Sequence, residues 1–224
     1  MSRVLPILFN TDMVRAILDG RKTVTRRKIP IDVVNYCDID TDGTLLSYEN
    51  DCGDFIEPKK LCQYHPGDIL YVRETWKCWR AHRYEATADI MFRAGGDGVQ
   101  LQFANGSTDS VNRFDYDAFV NKYFSHDGEW KPSLFMPKEA ARIWLKVKDV
   151  RVERLQEITP QEAWKEGAIC SCMSPVQDCE GNKTAFIDIW NSTIKKSDLD
   201  RYGWDANPWV WVIEFERCEK PENI

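Results

Sequence analysis

The chain has 224 residues, of which 43% are hydrophobic and 29% charged, a balance typical of a globular protein with a substantial core. Its net charge of -6 excludes a protein that coats nucleic acid through overall positive charge, so any phosphate contact must be local. No apolar run approaches the roughly 18 residues of a membrane span, and residues 1–10 are too short for a secretory signal. We therefore expect a cytoplasmic protein without membrane contact.

The first predicted unit is a helix followed at once by a strand. Asn10 precedes apolar residues at helical spacing and Gly20 supplies the left-handed position that ends a helix. Residues 23–29 are rich in β-branched side chains and alternate, which predicts a strand. The unit therefore carries Lys22 into a tight connection, where side chains can converge on a pocket.

Two insertions, at about 30–64 and 77–137, flank a second predicted strand at 69–76. The first insertion is acidic, and its turn signals at Asp42-Gly43 and Cys52-Gly53 predict a hairpin. Both insertions are expected to be loop-rich additions to the core.

The second half of the chain contains the longest regular pattern. Residues 141–154 alternate as a half-buried strand does, and Thr159 then begins a short helix that ends at Gly167. A further helix is predicted at 184–194, and a final strand at 209–215 presents one apolar face. This order predicts a single α+β domain, built as a barrel or a twisted sheet with short helices.

Four segments of the chain resemble the ASCH domain family, in the longer form found in bacteriophage and prophage genomes. They are residues 17–27, 66–76, 150–167 and 207–215. The resemblance implies a PUA-like β-barrel spanning residues 1–224, with a pocket that admits a nucleobase or a strand of RNA. It also implies a phage protein acting in the cytoplasm of a bacterial host, with RNA, a nucleoside or a nucleotide as its partner.

Family members of known activity suggest a chemistry for the pocket. Some remove the acyl group from acetylcytidine, and others are described as ribonucleases. Their Gly-x-Lys-x-x-Thr-x-Arg motif falls here on Lys22, Thr25 and Arg27, and a glutamate late in the short helix falls on Glu166. The resemblance thus implies a hydrolase, and we expect it to need no cofactor or metal.

The residues themselves support a basic lysine. Lys22 lies beside Arg21 and close to Arg26, so like charges and any burial should lower its pKa. Thr25 lies three residues further on, within reach of a lysine that removes its proton and makes it a nucleophile. The plainer interpretation is an exposed lysine and a threonine on a strand surface.

Two glutamates compete for the acid role. Glu166 ends the short helix and is expected to be exposed at the mouth of the pocket, where it can protonate a leaving amine. Glu74 lies in an apolar strand beside Arg73, which favours a structural ion pair over proton transfer. Trp76 follows on the same strand and is either a surface for base stacking or a core residue.

A non-catalytic function is the main alternative. Five cations fall within eight positions without an acid among them: Arg21, Lys22, Arg26, Arg27 and Lys28. They could grip phosphate in an RNA- or nucleotide-binding module, or form a solvated face. Convergence of Lys22, Thr25 and a carboxylate would favour the hydrolase, because a binding module needs no such group.

The cysteines allow a further alternative. Cys170, Cys172 and Cys179 lie in a predicted loop at 170–183, and four others lie in or beside the first insertion: Cys37, Cys52, Cys62 and Cys78. Such loops could share a zinc ion if they meet, but no Cys-x-x-Cys pair is present. Scattered buried thiols without metal are the expectation.

Overall fold

The computed structural model describes residues 2–35, 37–39, 45–49, 55–103, 116–173 and 176–221. The strands are β1 Val4–Leu8, β2 Val24–Lys28, β3 Cys37–Ile39, β4 Leu45–Glu49, β5 Phe55–Ile56, β6 Ile69–Arg73, β7 Trp76–His82, β8 Thr87–Phe92, β9 Val99–Gln102, β10 Trp144–Arg154 and β11 Trp209–Cys218. The helices are α1 Thr11–Leu18, α2 Ile31–Asn35, α3 Tyr116–Tyr123, α4 Pro160–Lys165, α5 Gly181–Thr193 and α6 Leu199–Tyr202. The turn signals at 42–43 and 52–53 lie outside the described residues.

The strands form three sheets in the described part of the chain. One has five strands in the order β1-β6-β10-β11-β2, and the others are β3-β4-β5 and β7-β8-β9. The α+β class predicted from the sequence is therefore confirmed. The barrel is not seen, because β1 and β2 are the two edges of the five-stranded sheet, which stays open.

The chain divides into two compact units, of which the first comprises residues 1–3, 16–69 and 146–216. Its core is an apolar cluster to which β2, α4, α5 and β11 contribute: Val24, Leu155, Ile158, Ala163, Ala168, Phe186, Trp190, Val210 and Val212. This core holds the start of β2 against the C-terminal end of α4, since the Thr23 amide donates to the Lys165 carbonyl at 2.9 Å.

The second unit comprises residues 4–15, 70–145 and 217–224. The insertion expected at 77–137 carries most of an antiparallel sheet, β7-β8-β9, and helix α3. Trp76 and Phe119 are fully buried there, with their ring centroids 6.4 Å apart. This region therefore contributes its own core.

Short-range signals in the sequence correctly predicted the start of α1 and of α4 and the turn that follows α1. The Asn10 carboxamide accepts a hydrogen bond from the Met13 amide at 2.9 Å, and Gly20 has a φ of 73°. Thr159 caps α4 together with Glu162, each side chain bonding the other's backbone amide. In the described residues no helix has the length and apolar character needed to cross a membrane.

Two strands differ from the prediction. The segment 69–76 is broken between β6 and β7, and Glu74 in the gap turns its side chain to Arg142. Strand β11 is buried on both faces at Trp209–Ile213, because its second face packs into the core of the first unit. Helix α5 also begins at Gly181, three residues earlier than expected.

Candidate active site

Lys22 is buried in the connection between α1 and β2. Its backbone amide bonds the Ala16 carbonyl at 3.0 Å, which closes the turn and directs the side chain inward. The ammonium donates to the Val24 carbonyl at 2.8 Å, to the Glu166 carbonyl at 2.8 Å and to Glu166 Oε2 at 2.7 Å. These three acceptors match its three N–H groups. The side chain is 0% exposed, so the interpretation as a solvated charge is wrong.

Glu166 supplies two of those acceptors because it lies at the last turn of α4. The expectation that it is exposed is also wrong, since its side chain is only 5% exposed. Gly167 follows with a φ of 90°, and a β-carbon added there would lie 2.8 Å from that of Ala16. The close approach of α4 to the end of α1 therefore buries the carboxylate against Lys22.

Burial makes the Lys22 ammonium easier to deprotonate than that of an exposed lysine. Desolvation lowers its pKa below the ordinary value, and the nearby positive charges of Arg27 and Arg26 add to this effect. The charge and hydrogen bond of Glu166 act in the opposite direction without cancelling the shift. The lowered pKa expected from the sequence thus has burial as its main cause and like charge as a smaller one.

Arg26 is buried behind Lys22 and is surrounded by carboxylates. Its guanidinium lies 3.0 Å from Glu153, 3.2 Å from Glu162 and 3.4 Å from Glu166, and its side chain is 0% exposed. It also lies 6.0 Å from the centre of the Phe186 ring. Arg26 therefore neutralises one buried and two partly exposed glutamates, and it is not placed to bind a phosphate from solvent.

Arg151 completes what we call the charge cluster, in which three members are buried and three are partly exposed. The buried members are Lys22, Arg26 and Glu166, and the partly exposed ones are Arg151, Glu153 and Glu162. Arg151 bonds Glu162 at 2.9 Å and also pairs with Glu153. Burial alone would raise the pKa of Glu162, but the Thr159 amide and the charges of Arg26 and Arg151 leave it lowered. With all six groups ionised, three cations balance three carboxylates.

Sequence analysis missed Arg151, Glu153 and Glu162 as members of this cluster. The alternation of β10 put Arg151 and Glu153 on one face, and the capping pattern after Thr159 pointed to Glu162. These signals were interpreted as the polar face of a half-buried strand and as a helix cap. Only the packing of α4 against the sheet shows that both features serve the same ion-pair network.

The alternation of β2 determines which face of the strand Thr25 and Arg27 project from. Residues 24 and 26 share one face of a strand, so Thr25 and Arg27 project from the other. Thr25 is 1% exposed, and the three described hydrogen bonds of the Lys22 ammonium do not include its hydroxyl. Burial lowers the pKa of Arg27, while nearby Tyr64 and Glu166 oppose the shift.

The remaining cations of the basic run have partners of their own. Arg21 bonds the Asp19 carboxylate at 3.0 Å, and Lys28 is exposed with its ammonium 3.9 Å from the centre of the Tyr202 ring. Taken with Lys22 and Arg26, three of the five cations are paired with carboxylates. The run is thus not a continuous positive surface.

Glu74 and Arg73 lie in the second unit, where they do not pair with each other. Glu74 is 1% exposed and accepts two hydrogen bonds from Arg142, both at 2.9 Å. Burial raises the pKa of Glu74 although Arg142 opposes the shift. Arg73 instead donates to the Leu134 carbonyl at 3.2 Å and to the Tyr71 hydroxyl at 3.3 Å.

Trp76 is a core residue of the second unit in this structure. It is 0% exposed, and its ring centroid lies 5.1 Å from that of Tyr123. A ring in this position has no face available for a stacked base. The core interpretation of Trp76 therefore describes the structure better than the stacking one.

One group of side chains in the described residues has the composition of a metal site. Cys170, Cys172 and Cys179 have their sulfurs within 4.8 Å of one another. Cys37, Cys62 and Cys78 do not join this group, and Cys52 lies outside the described residues.

Comparison with models of protein families, with curated proteins and with solved structures finds no match for this chain. The resemblance to the ASCH family therefore rests on the four segments named above. Two of these segments contain the ion pair of the site: residues 17–27 include Lys22, and residues 150–167 include Glu166.

Proposed function

We propose that this protein is an ASCH-type, PUA-like hydrolase that removes an acyl group from a cytidine-type base. The observation that carries the proposal is the 2.7 Å contact between Lys22 Nζ and Glu166 Oε2, whose side chains are 0% and 5% exposed. A paired base and acid is what amide hydrolysis requires, because a nucleophile must lose a proton and the leaving amine must gain one. The described contacts join Lys22 to Glu166, and the attack by Thr25 is part of the proposal.

The proposed reaction uses the single proton that the pair shares. Transfer of this proton from Lys22 to Glu166 leaves a neutral amine and a carboxylic acid. Lys22 then takes the hydroxyl proton of Thr25 while the Thr25 oxygen forms a bond to the acyl carbon. Glu166 protonates the amine nitrogen as the C–N bond breaks. The proton then passes from Lys22 to Glu166 again. Lys22 takes a proton from water as the water oxygen bonds the acyl carbon, and Glu166 protonates the Thr25 oxygen as the ester bond breaks, which releases the acid.

The binding alternative has less support from the positions of the charges. Arg21, Lys22 and Arg26 are already paired with carboxylates. Each phosphate contact to single-stranded RNA contributes about -0.7 to the logarithmic salt slope of the affinity. A steep slope of this kind, in a protein that cleaves no acyl cytidine, would favour the binding module.

The test is incubation of the purified chain with N4-acetylcytidine, N4-benzoylcytidine and single-stranded RNA, with products identified by mass. We expect cytidine from the acetyl substrate. Because Lys22, Thr25 and Glu166 are each at most 5% exposed, the larger benzoyl group should react more slowly. RNA should remain intact.

Variants assign the reaction to the site. Lys22→Met, Thr25→Val and Glu166→Gln should each lose activity by several orders of magnitude, measured where the variants remain folded by circular dichroism. Asp68→Asn is the matched control, since Asp68 is a buried carboxylate of the same unit that pairs with Arg3 away from this site. Cleavage of RNA without deacylation, or full activity in the Lys22 variant, would contradict the proposal.

A further inference from the structure

The loop between α4 and α5 gathers three cysteines. Cys170 and Cys172 form a disulfide, and the Cys179 sulfur lies 3.2 Å from that of Cys170 and 3.8 Å from that of Cys172. Cys172 is exposed and the other two are half-buried. Three sulfurs therefore meet at a place that solvent can reach.

Asn182 holds this loop in shape from inside. It is 0% exposed, its carboxamide oxygen accepts from the Cys170 amide at 2.9 Å, and its amide group donates to the Val176 and Gln177 carbonyls at 2.8 and 3.2 Å. Its own backbone amide bonds the Cys179 carbonyl at 2.9 Å. One buried side chain thus ties together the segments that carry Cys170 and Cys179.

Gly181 permits the close approach of those segments. A β-carbon added to Gly181 would lie 2.6 Å from that of Cys170 and 3.5 Å from the Cys179 sulfur. Gly181 is also the first residue of α5, a helix of 13 residues. The partial positive charge at that end of the helix favours thiolates beside it.

We propose that, once reduced, Cys170, Cys172 and Cys179 bind one thiophilic metal ion through three thiolates. Two equivalents of a cellular thiol reduce the Cys170–Cys172 disulfide and are oxidised to one disulfide, which leaves three cysteine thiols together with Cys179. The ion replaces the protons of these thiols as it binds. Thiolate ligands select Zn²⁺ and Cu(I) over hard cations. Three protein ligands leave a fourth position on zinc for water or another ligand.

The experiment uses the full chain, reduced with a phosphine and kept free of oxygen. Zn²⁺ and Cu(I) are titrated in parallel against chromophoric chelators, and Co²⁺ reports thiolate coordination by its charge-transfer absorption. We expect one equivalent of Zn²⁺ or Cu(I) to bind. Cys172→Ser and Cys179→Ser should each weaken binding by more than the roughly tenfold expected for Asn182→Ala, which removes only a supporting partner.

Cys218→Ser is the matched control, because Cys218 lies outside this group of cysteines. A second measurement needs no variant: bound metal should protect Cys170, Cys172 and Cys179 from alkylation and leave Cys218 reactive, as located by peptide mass. Failure of the reduced wild-type chain to bind either ion overturns the proposal. So does alkylation of the three cysteines at an unchanged rate in the presence of metal, or an equal loss of affinity in Cys218→Ser.

Discussion

The buried ammonium of Lys22 donates to three acceptors, and Glu166 provides two of them. Transfer of such charges from water costs several kcal/mol for each ion, which their mutual attraction only partly returns. A buried ion pair is therefore a weak source of stability compared with an apolar pair of the same size. In the proposed reaction the same pair serves proton transfer.

The dependence of the two residues on each other is measurable. Lys22→Met and Glu166→Gln should each lower the free energy of unfolding by about 3 kcal/mol, because each leaves a buried charge without its main partner. The double variant should lose at least about 1 kcal/mol less than the sum of the two. Urea unfolding measures all three. Additivity within about 0.5 kcal/mol would show that the contact does not couple them.

The pair in the second unit gives a prediction about stability alone. Glu74→Gln should lower the free energy of unfolding by about 3 kcal/mol, because it removes the charge that faces the buried guanidinium of Arg142. Glu216→Gln is the control, since Glu216 and Lys148 form a half-exposed pair worth about 0–1 kcal/mol. Equal losses in the two variants would contradict the assignment of Glu74 as a buried structural partner.

Individual site residues were predictable only where a local pattern marked them. Lys22 and Thr25 were found from the basic turn and from the resemblance, and Glu166 from the resemblance alone. The predicted partner of Glu74 was wrong, because Glu74 lies in the break between β6 and β7 and Arg142 approaches from a distant segment. Long-range pairing of this kind leaves no short-range signal in the chain.

Helix α4 is placed by the glycine that ends it. Gly167→Ala should lower the free energy of unfolding by about 2–4 kcal/mol, because φ is positive there and the new methyl group meets Ala16. Gly20→Ala is the matched control: φ is also positive, but the space around it is open. It should cost about 1 kcal/mol. Similar losses at both positions would show that the contact with Ala16 is unimportant.

Regular elements were predicted best where their signals are local. Caps at Asn10 and Thr159 and the alternation of β10 depend on residues a few positions apart, and the structure contains each of them. The break of the 69–76 strand and the double-sided burial of β11 depend on packing against other elements. The open sheet likewise depends on strand partners that alternation cannot identify.

Across the chain, an overall negative charge coexists with a basic turn that is largely neutralised inside the first unit. Arg26 is the clearest case, because three glutamates from β10 and α4 surround it. The net charge and the runs of charged residues were poor predictors of the surface charge, since they do not show which charges the fold buries. The pairs also set how the protein should respond to pH.

The most direct test of the acid–base pair is the pH dependence of kcat/KM for N4-acetylcytidine. The reaction needs the one proton that Lys22 and Glu166 share, so the rate should fall at high pH as Lys22 loses it. Because burial lowers the pKa of Lys22, the midpoint of this fall should lie below 10.5, the ordinary value for lysine. A rate that keeps rising with pH beyond that value, or no cleavage of acetylcytidine at any pH, would contradict the account.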